Sequence, residues 1–338
     1  MEALLYEPVK DRTVQCILCN QKCIIREGKR GLCSVRENRE GALITLVYDQ
    51  IIARHVDPIE KKPLFHFLPG SLAYSIGTVG CNFRCRFCQN ADIAQMATDN
   101  DGRIMGQTFS PERIVDEARQ TGCKSIAYTY TEPTIFFELA FDTAKLAQSQ
   151  GLKNIFVTNG YMSTEALDMI SPWLDAANVD LKAFTDEFYK KQCNSRLGPV
   201  LETLRKMKRL GVFVEVTTLL IPRLNDDPGE LGELAAFIVN DLGDDTPWHV
   251  SRFHPTYKLL DRPPTPVATL LRAREIGVGA GLKYVYTGNI PGDGTESTYC
   301  YGCGQPVIRR RGFSILENRV ADGRCPDCGA VIHGVGLA

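Results

Sequence analysis

Three cysteines close together carry the clearest chemical signal in this 338-residue chain. Cys81, Cys85 and Cys88 are spaced as C-x3-C-x2-C, and Phe87 precedes the last of them. Four-iron clusters usually take four cysteine ligands, so a compact set of three predicts a [4Fe-4S] cluster with one iron open to a small chelating molecule. The alternatives are a zinc knuckle that borrows a fourth ligand and three unrelated core thiols. Zinc ligand pairs, however, normally recur as a second pair.

The other cysteines also fall into groups, and clustered cysteines in an intracellular chain indicate metal binding rather than disulfides. Two C-x2-C-Gly knuckles predict a zinc ribbon. Its four ligands are Cys300, Cys303, Cys325 and Cys328. An N-terminal set fits zinc or an auxiliary iron-sulfur cluster, with zinc favoured. This set is Cys16, Cys19, Cys23 and Cys33. Cys123 and Cys193 are interpreted as ordinary small residues.

From about residue 72 onward, apolar strand-like runs alternate with amphipathic helix-like stretches. The predicted strands are Leu72–Val79, Lys124–Tyr130, Asn154–Thr158, Asn178–Lys182, Val212–Leu220 and His249–Phe253. The predicted helices begin at Ser110, cover Glu138–Ala147 and Glu230–Asp241, and begin again near Thr265. Repeated strand-helix units imply parallel strands joined by right-handed crossovers. About six units favour an open, partial barrel over a closed one of eight strands.

Polar residues fall at the carboxyl ends of these strands, where the loops of a parallel barrel build an active site. They are Thr131, Glu132, Asn159, Asp180, Lys182 and His254. Single residues have structural explanations, since Asn159-Gly160 is a common turn and Asp180 with Lys182 could be a solvated ion pair. Together, and beside the cysteine loop, they favour a binding site.

Residues 72–291 resemble the pyruvate formate-lyase activating enzyme branch of the radical S-adenosylmethionine (radical SAM) proteins. The whole chain, with its cysteine-rich ends and the phrases Tyr128–Pro133 and Val285–Gly292, resembles the narrower AmmeMemoRadiSam system radical SAM enzymes. It departs from the activating enzymes at Tyr130-Thr131, where they have two glycines before the glutamate. The departure adds side chains near the cofactor.

The resemblance implies that Cys81, Cys85 and Cys88 hold a [4Fe-4S] cluster that cleaves S-adenosylmethionine reductively. The product, a 5′-deoxyadenosyl radical, would abstract hydrogen from a substrate. The implied cofactor contacts are Phe87 and Gln89 near the adenine, Thr131 and Glu132 at the amino group, Asp180 and Lys182 at the carboxylate and sugar, His254 at the ribose, and Asn159.

The predicted fold class is α/β, in three parts. Residues 1–70 form a cysteine-rich N-terminal region, residues 71–292 a partial (β/α)6 radical SAM barrel, and residues 293–338 a zinc ribbon. A formal net charge of -1 argues against a general nucleic-acid-binding surface. The sequence shows neither a membrane-length apolar segment nor a secretory signal, so we expect a cytoplasmic protein.

Three function classes remain open. They are a radical enzyme acting on a protein, a radical enzyme acting on a small metabolite, and a non-catalytic electron-transfer metalloprotein. Polar residues at the strand ends argue against the last class, because electron transfer needs no receptors for an ammonium and a carboxylate. The expected partners are an external one-electron reductant such as ferredoxin or flavodoxin and companion proteins of the Memo and AMMECR families. The substrate stays open.

Overall fold

The computed structural model describes residues 1–290 and 294–337. The first strands along the chain are β1 (Tyr6–Pro8), β2 (Val14–Cys16), β3 (Ile24–Ile25), β4 (Arg36–Arg39), β5 (Ala42–Thr45), β6 (Gln50–Ile51) and β7 (Ala53–Pro58). β1, β2 and β3 form one antiparallel sheet, β4 and β5 form a hairpin, and β7 joins the central sheet. Val14 and Leu43 of this region pack into the same hydrophobic core as the central sheet. The boundary predicted at residue 70 therefore falls after a strand of that sheet.

Within the described residues the central sheet has eight strands, seven of which are parallel. The parallel strands are β8 (Leu72–Gly77), β10 (Ser125–Tyr128), β11 (Lys153–Thr158), β12 (Ala176–Asp180), β13 (Phe213–Leu220), β14 (Trp248–Arg252) and β15 (Val285–Gly288). The order across the sheet is β15-β14-β13-β12-β11-β10-β8-β7, and β7 is antiparallel to its neighbour. The six predicted strands are confirmed, and β15 is a parallel strand that the six-unit prediction omitted. The short strand β9 (Gln107–Thr108) pairs with β6 instead.

Helices occupy the connections between the parallel strands. They are α1 (Ala91–Ala94), α2 (Met96–Asp99), α3 (Pro111–Gln120), α4 (Phe137–Ser149), α5 (Thr164–Ile170), α6 (Asp186–Phe188), α7 (Leu197–Arg209), α8 (Pro228–Phe237) and α9 (Val267–Gly279). Short 3-10 segments cover Ile59–Lys61, Pro133–Phe136 and Ser171–Trp173, and π-helical turns cover Tyr189–Cys193 and Ile238–Leu242. Among the described residues, none of the helices is long and apolar enough to cross a membrane.

Helix α3 begins as predicted. The Ser110 hydroxyl accepts a hydrogen bond of 3.3 Å from the Arg113 N–H, and Pro111 is the first helical residue. This N-cap satisfies a backbone donor that the helix itself leaves unpaired. Helix α8 ends at Phe237, earlier than predicted, and continues as a π-helical turn.

The parallel strands of the sheet are largely buried on both faces, whereas the antiparallel strand β7 is partly exposed. In β10 every residue is buried, and Trp248 of β14 and Phe156 of β11 are among the largest fully buried side chains. A parallel sheet has helices on its faces, so its strands need continuous apolar runs rather than alternating ones. Such runs made these strands recognisable in the sequence.

The C-terminal residues form a small antiparallel sheet with a core of its own. Its strands are β16 (Thr298–Tyr299), β17 (Pro306–Arg311) and β18 (Ser314–Asn318). Arg310 is buried and reaches the N-terminal region, where its Nη2 donates to Phe65 O at 2.7 Å and its Nε lies 3.7 Å from Glu60 Oε1. The boundary predicted between residues 292 and 293, with Pro291 and Gly292 of the quoted phrase, lies outside the described residues.

We expect Gly80, just before the cysteine loop, to tolerate no side chain. Its φ is +101°, and a Cβ would lie 2.7 Å from Val35 Cγ1 and 3.0 Å from Cys33 O. Gly80→Ala should lower the free energy of unfolding by roughly 1–2 kcal/mol for the backbone conformation and by roughly 1–3 kcal/mol more for the contact. Urea denaturation measures the loss. Gly122→Ala is the matched control, since Gly122 has φ +71° and open space around it; equal losses would contradict the packing contribution.

Candidate functional site

A cavity of about 560 Å³ opens at the carboxyl ends of the parallel strands, where open α/β sheets bind their ligands. Nearly all of the predicted site residues line it. They are Cys81, Cys85, Cys88, Phe87, Gln89, Thr131, Glu132, Asn159, Asp180 and Lys182. The three cysteine thiols, the Glu132 carboxylate and Lys182 thus face one space, although they come from three different strand ends.

The structure does not bring His254 to this cavity. His254 is exposed, follows the fully buried Phe253, and is not among the described residues that line the space. Successive residues of extended backbone point in opposite directions, so an inward Phe253 turns His254 outward. Among the described residues that line the cavity the histidine is His249, near the start of β14, the strand that ends just before Phe253.

The cysteine loop is held by its backbone. The N–H groups of Arg84 and Arg86 donate to Cys193 O and Gln192 O, each at 2.9 Å. The Phe83 N–H lies 3.4 Å from Cys81 Sγ. We call Cys81, Cys85 and Cys88 the loop cysteines. Hydrogen bonds from the backbone to sulfur are common around iron-sulfur clusters, where they adjust the reduction potential.

The loop cysteines lie in surroundings that favour neutral thiols. Burial raises the pKa of Cys88 to about 11 and that of Cys81 well above its ordinary value. The pKa of Cys85 is raised first by a hydrogen bond with Cys193 and then by burial. A metal centre must therefore displace protons from these thiols on binding. Once deprotonated, three adjacent cysteines could serve as ligands of a cluster.

Cys193 is a neighbour of the loop that sequence analysis missed. It is fully buried at the end of the π-helical turn Tyr189–Cys193, beside Cys85. A single cysteine distant in sequence has no spacing pattern that could have revealed this contact.

Glu132 is buried and receives four hydrogen bonds. Its Oε1 accepts from the Thr134 N–H at 3.1 Å, the Thr134 hydroxyl at 2.5 Å and the Thr158 hydroxyl at 2.7 Å. Its Oε2 accepts from the Asn159 N–H at 2.8 Å. Burial raises the pKa of this carboxyl, while the hydrogen bonds from Asn159, Thr134 and Thr158 oppose the rise. Oε2 accepts only this one hydrogen bond among the described residues, and since an ionised carboxylate oxygen has two lone pairs, it retains capacity for a further donor.

Asn159 connects Glu132 to the cysteine loop. Its Nδ2 donates to Asn82 Oδ1 at 2.7 Å and lies 3.8 Å from Cys81 Sγ. Thr131 is held differently, because its hydroxyl donates to Thr78 O at 2.9 Å. The side chains at the ends of β10 and β11 therefore form one network with the loop.

Asp180 and Lys182 form an ion pair at the end of β12. Lys182 Nζ lies 2.8 Å from Asp180 Oδ2 and 5.9 Å from the centre of the Phe87 ring. Burial opposes the charge of Lys182, but the neighbouring Asp180 carboxylate raises its pKa overall. Lys182 thus supplies a positive charge at the cavity wall.

Tyr130 occupies the first of the two positions at which the activating enzymes have glycine. It adopts φ +64°, a left-handed conformation that glycine takes readily and other residues rarely do. Its hydroxyl donates to Asp57 Oδ2 at 2.7 Å, and Lys62 Nζ lies 4.8 Å from the centre of its ring. These contacts stabilise a backbone conformation that is strained for tyrosine.

The wall of the cavity also carries buried polar residues that sequence analysis missed. Glu60, Thr217 and His249 line it, and His249 Nε2 lies 2.6 Å from the fully buried Glu215 carboxylate. The Glu60 Oε2 and Thr217 Oγ1 atoms have no hydrogen-bond partner among the described residues. These groups are far apart in sequence, so no local pattern joins them.

The remaining cysteine groups differ in geometry. The ribbon cysteines, Cys300, Cys303, Cys325 and Cys328, place all four sulfur atoms within 4.8 Å of one another and could hold a metal ion. The N-terminal cysteines, Cys16, Cys19, Cys23 and Cys33, line a second, smaller cavity.

Comparison with known proteins identifies relatives over different lengths. The radical SAM superfamily model matches residues 75–235. An uncharacterized protein of Methanocaldococcus jannaschii is 46% identical over 98% of both chains. A second protein of that organism, provisionally named a glycyl-radical enzyme activating enzyme, is 25% identical over 62% of this chain and 76% of its own length. Streptococcus suis SuiB bound to S-adenosylmethionine shares the fold, with a TM-score of 0.52 and 14% identity over 68% of this chain and 52% of SuiB.

We expect the stability of the protein to depend on the protonation of His66. Burial lowers the pKa of this side chain to about 4, and its Nδ1 donates to His333 O at 2.6 Å while its Nε2 accepts from the Tyr286 hydroxyl at 2.5 Å. In the unfolded chain the pKa is about 6.5, so the unfolded state binds the proton first. The free energy of unfolding should fall by up to about 3 kcal/mol as the pH drops from about 6.5 to about 4.

Urea denaturation over this pH range, on the native chain and on His66→Asn, measures the contribution of His66. The asparagine cannot titrate, so the difference in slope between the two proteins isolates the histidine. Identical slopes would contradict a buried neutral His66.

Proposed function

We propose that the chain is an enzyme of the radical SAM superfamily, whose family model matches residues 75–235, and that its loop cysteines hold the [4Fe-4S] cluster with which it cleaves S-adenosylmethionine. In this superfamily, the reduced cluster and S-adenosylmethionine together supply a 5′-deoxyadenosyl radical that abstracts hydrogen from a substrate. One observation carries the proposal: the three thiols, Glu132 and Lys182 line a single cavity. An electron-transfer protein would need no such cavity beside its cluster.

Two charged residues of the cavity, Glu132 and Lys182, would bind the two charged groups of the methionine part of S-adenosylmethionine. Glu132 Oε2 would accept a hydrogen bond from the amino group, for which it retains capacity. Lys182, oriented by Asp180, would donate to the carboxylate. Phe87 and Gln89 would lie against the adenine.

We propose that the substrate is a protein and that the reaction resembles glycyl-radical activation, with the provisionally named Methanocaldococcus jannaschii relative as support. The alternative is a small polar metabolite. It is favoured by the polar residues of the cavity wall, Glu60 and Thr217, each of which has a buried oxygen atom without a partner among the described residues. Anaerobic turnover with candidate substrates, followed by mass spectrometry to locate the abstracted hydrogen, separates the two.

The ribbon cysteines would bind zinc. Two of their sulfur-sulfur distances are 3.5 and 3.7 Å, and tetrahedral zinc with Zn–S bonds of about 2.3 Å sets its sulfurs about 3.8 Å apart.

The proposed reaction also needs partners. A ferredoxin or flavodoxin would supply single electrons, and Memo and AMMECR family proteins would be companions. The expected compartment is the cytoplasm, where free thiols and exposed clusters persist.

Replacing all three loop cysteines with alanine should abolish the formation of 5′-deoxyadenosine, because the cofactor then has no iron to chelate. Chromatography with mass spectrometry measures this product after anaerobic reconstitution and reduction with dithionite. Cys123→Ala is the matched control, since Cys123 is buried but is not among the described residues that line the cavity. Formation of 5′-deoxyadenosine by the triple variant would disprove the assignment of the loop cysteines.

Glu132→Gln and Lys182→Ala should each retain the cluster but bind S-adenosylmethionine more weakly. A lost hydrogen bond to a charged group costs roughly 1.5–3 kcal/mol, about one to two orders of magnitude in affinity. Electron paramagnetic resonance of the reduced cluster, titrated with S-adenosylmethionine, measures the affinity. Lys191→Ala is the control, because Lys191 is exposed and pairs with Glu187. Unchanged affinity in both test variants would show that the cofactor binds elsewhere.

A further inference from the structure

The N-terminal cysteines surround a site that the proposed reaction does not use. All four line the second cavity, together with apolar side chains such as Leu18, Ile25 and Ile135. We propose that they hold an iron-sulfur cluster and that this second cluster exchanges single electrons with the one at the loop cysteines. The exchange of electrons rests on the proposed function, whereas the presence of the second cluster does not.

The separation of the sulfur atoms distinguishes this site from the ribbon. Among the described residues, the ribbon cysteines bring three or more sulfurs within 4.8 Å of one another, and neither the N-terminal cysteines nor the loop cysteines do so. Zinc needs its four thiolates about 3.8 Å apart. An iron-sulfur cluster binds its thiolates through more than one iron and therefore holds them further apart. In neither the N-terminal cysteines nor the loop cysteines do the sulfur atoms have the close packing that the ribbon shows.

A buried positive charge lies against the second cavity. Arg36 lines it, is almost fully buried, and places Nη1 3.4 Å from Cys16 Sγ. Its Nη2 pairs with Glu138, and the Leu32 N–H lies 3.4 Å from Cys23 Sγ. A guanidinium and a backbone donor directed at sulfur stabilise an anionic thiolate cluster and adjust its potential.

The two cysteine sites are adjacent. Asn82, which lines the second cavity, follows Cys81 directly in sequence, and its carbonyl accepts a hydrogen bond of 2.9 Å from Gln21 Nε2. Arg84 joins the two loops, because it donates to Cys81 O at 2.9 Å and also to Leu32 O. A proposed ligand of the first cluster, Cys81, is therefore the immediate neighbour in sequence of a wall residue of the second cavity.

This adjacency suits the transfer of one electron. A reduced ferredoxin or flavodoxin would give one electron to the second cluster, which would pass it to the cluster at the loop cysteines and return to its oxidised state. The transfer makes and breaks no covalent bond and moves no proton.

The test is metal content after anaerobic reconstitution of the full chain with ferrous iron, sulfide and zinc present together. In the variant with all three loop cysteines replaced by alanine, we expect about two to four irons per chain, with matching sulfide, beside the zinc of the ribbon. The N-terminal cysteines are intact in this variant, so the result does not depend on whether they tolerate substitution. If this variant contains no more iron than a protein-free blank, with or without additional zinc, the proposal is overturned.

In a matched variant, Cys16, Cys19, Cys23 and Cys33 are replaced by serine. This variant should lose as much iron as the loop-cysteine variant retains, and it should keep the zinc of the ribbon. The electron paramagnetic resonance of the fully reduced native chain should then differ from the sum of the spectra of the two variants, because two neighbouring paramagnetic clusters interact. A spectrum equal to that sum would overturn the adjacency of the clusters. Failure of the proposed function would instead appear as native iron content in the loop variant.

Discussion

A carboxylate that is removed from water must be protonated, paired or hydrogen-bonded, and Glu132 meets this requirement with donors from its own 3-10 turn and from the end of the next strand. The arrangement is possible only because β10 and β11 are parallel and in register, so that both strands end at the same edge. Asn159 then carries the network to Asn82 and so to the cysteine loop. The position of the loop therefore depends on one buried charge that the sheet holds in place.

The sequence predicted those parts of the molecule that follow a local pattern. Apolar runs located the strands, and residues directly after them, such as Glu132 and Lys182, were brought together because parallel strands share an edge. The same pattern, followed one residue further, would have shown that His254 points away, since Phe253 has the inward position.

Contacts between distant segments could not be predicted in this way. Cys193 reaches Cys85 through a π-helical turn, and Glu215, His249 and His66 form one buried network although they come from separate strands and a loop. Burial of such groups depends on which strands become neighbours, and a single sequence carries no periodic signal for that choice. The N-terminal cysteines show the same limit, because their spacing in the sequence fits both zinc and an iron-sulfur cluster and does not tell how far apart their sulfur atoms lie in space.

The pairing of Arg310 with Glu60 has a consequence for the synthesis of the chain. Glu60 is made early and is buried in the finished protein, but the guanidinium beside it belongs to β17, near the C-terminus. Chains fold progressively as they leave the ribosome, so the sheet and both upstream cysteine groups emerge before this positive charge. The wall of the cavity at Glu60 is consequently completed only after nearly the whole chain has been synthesised.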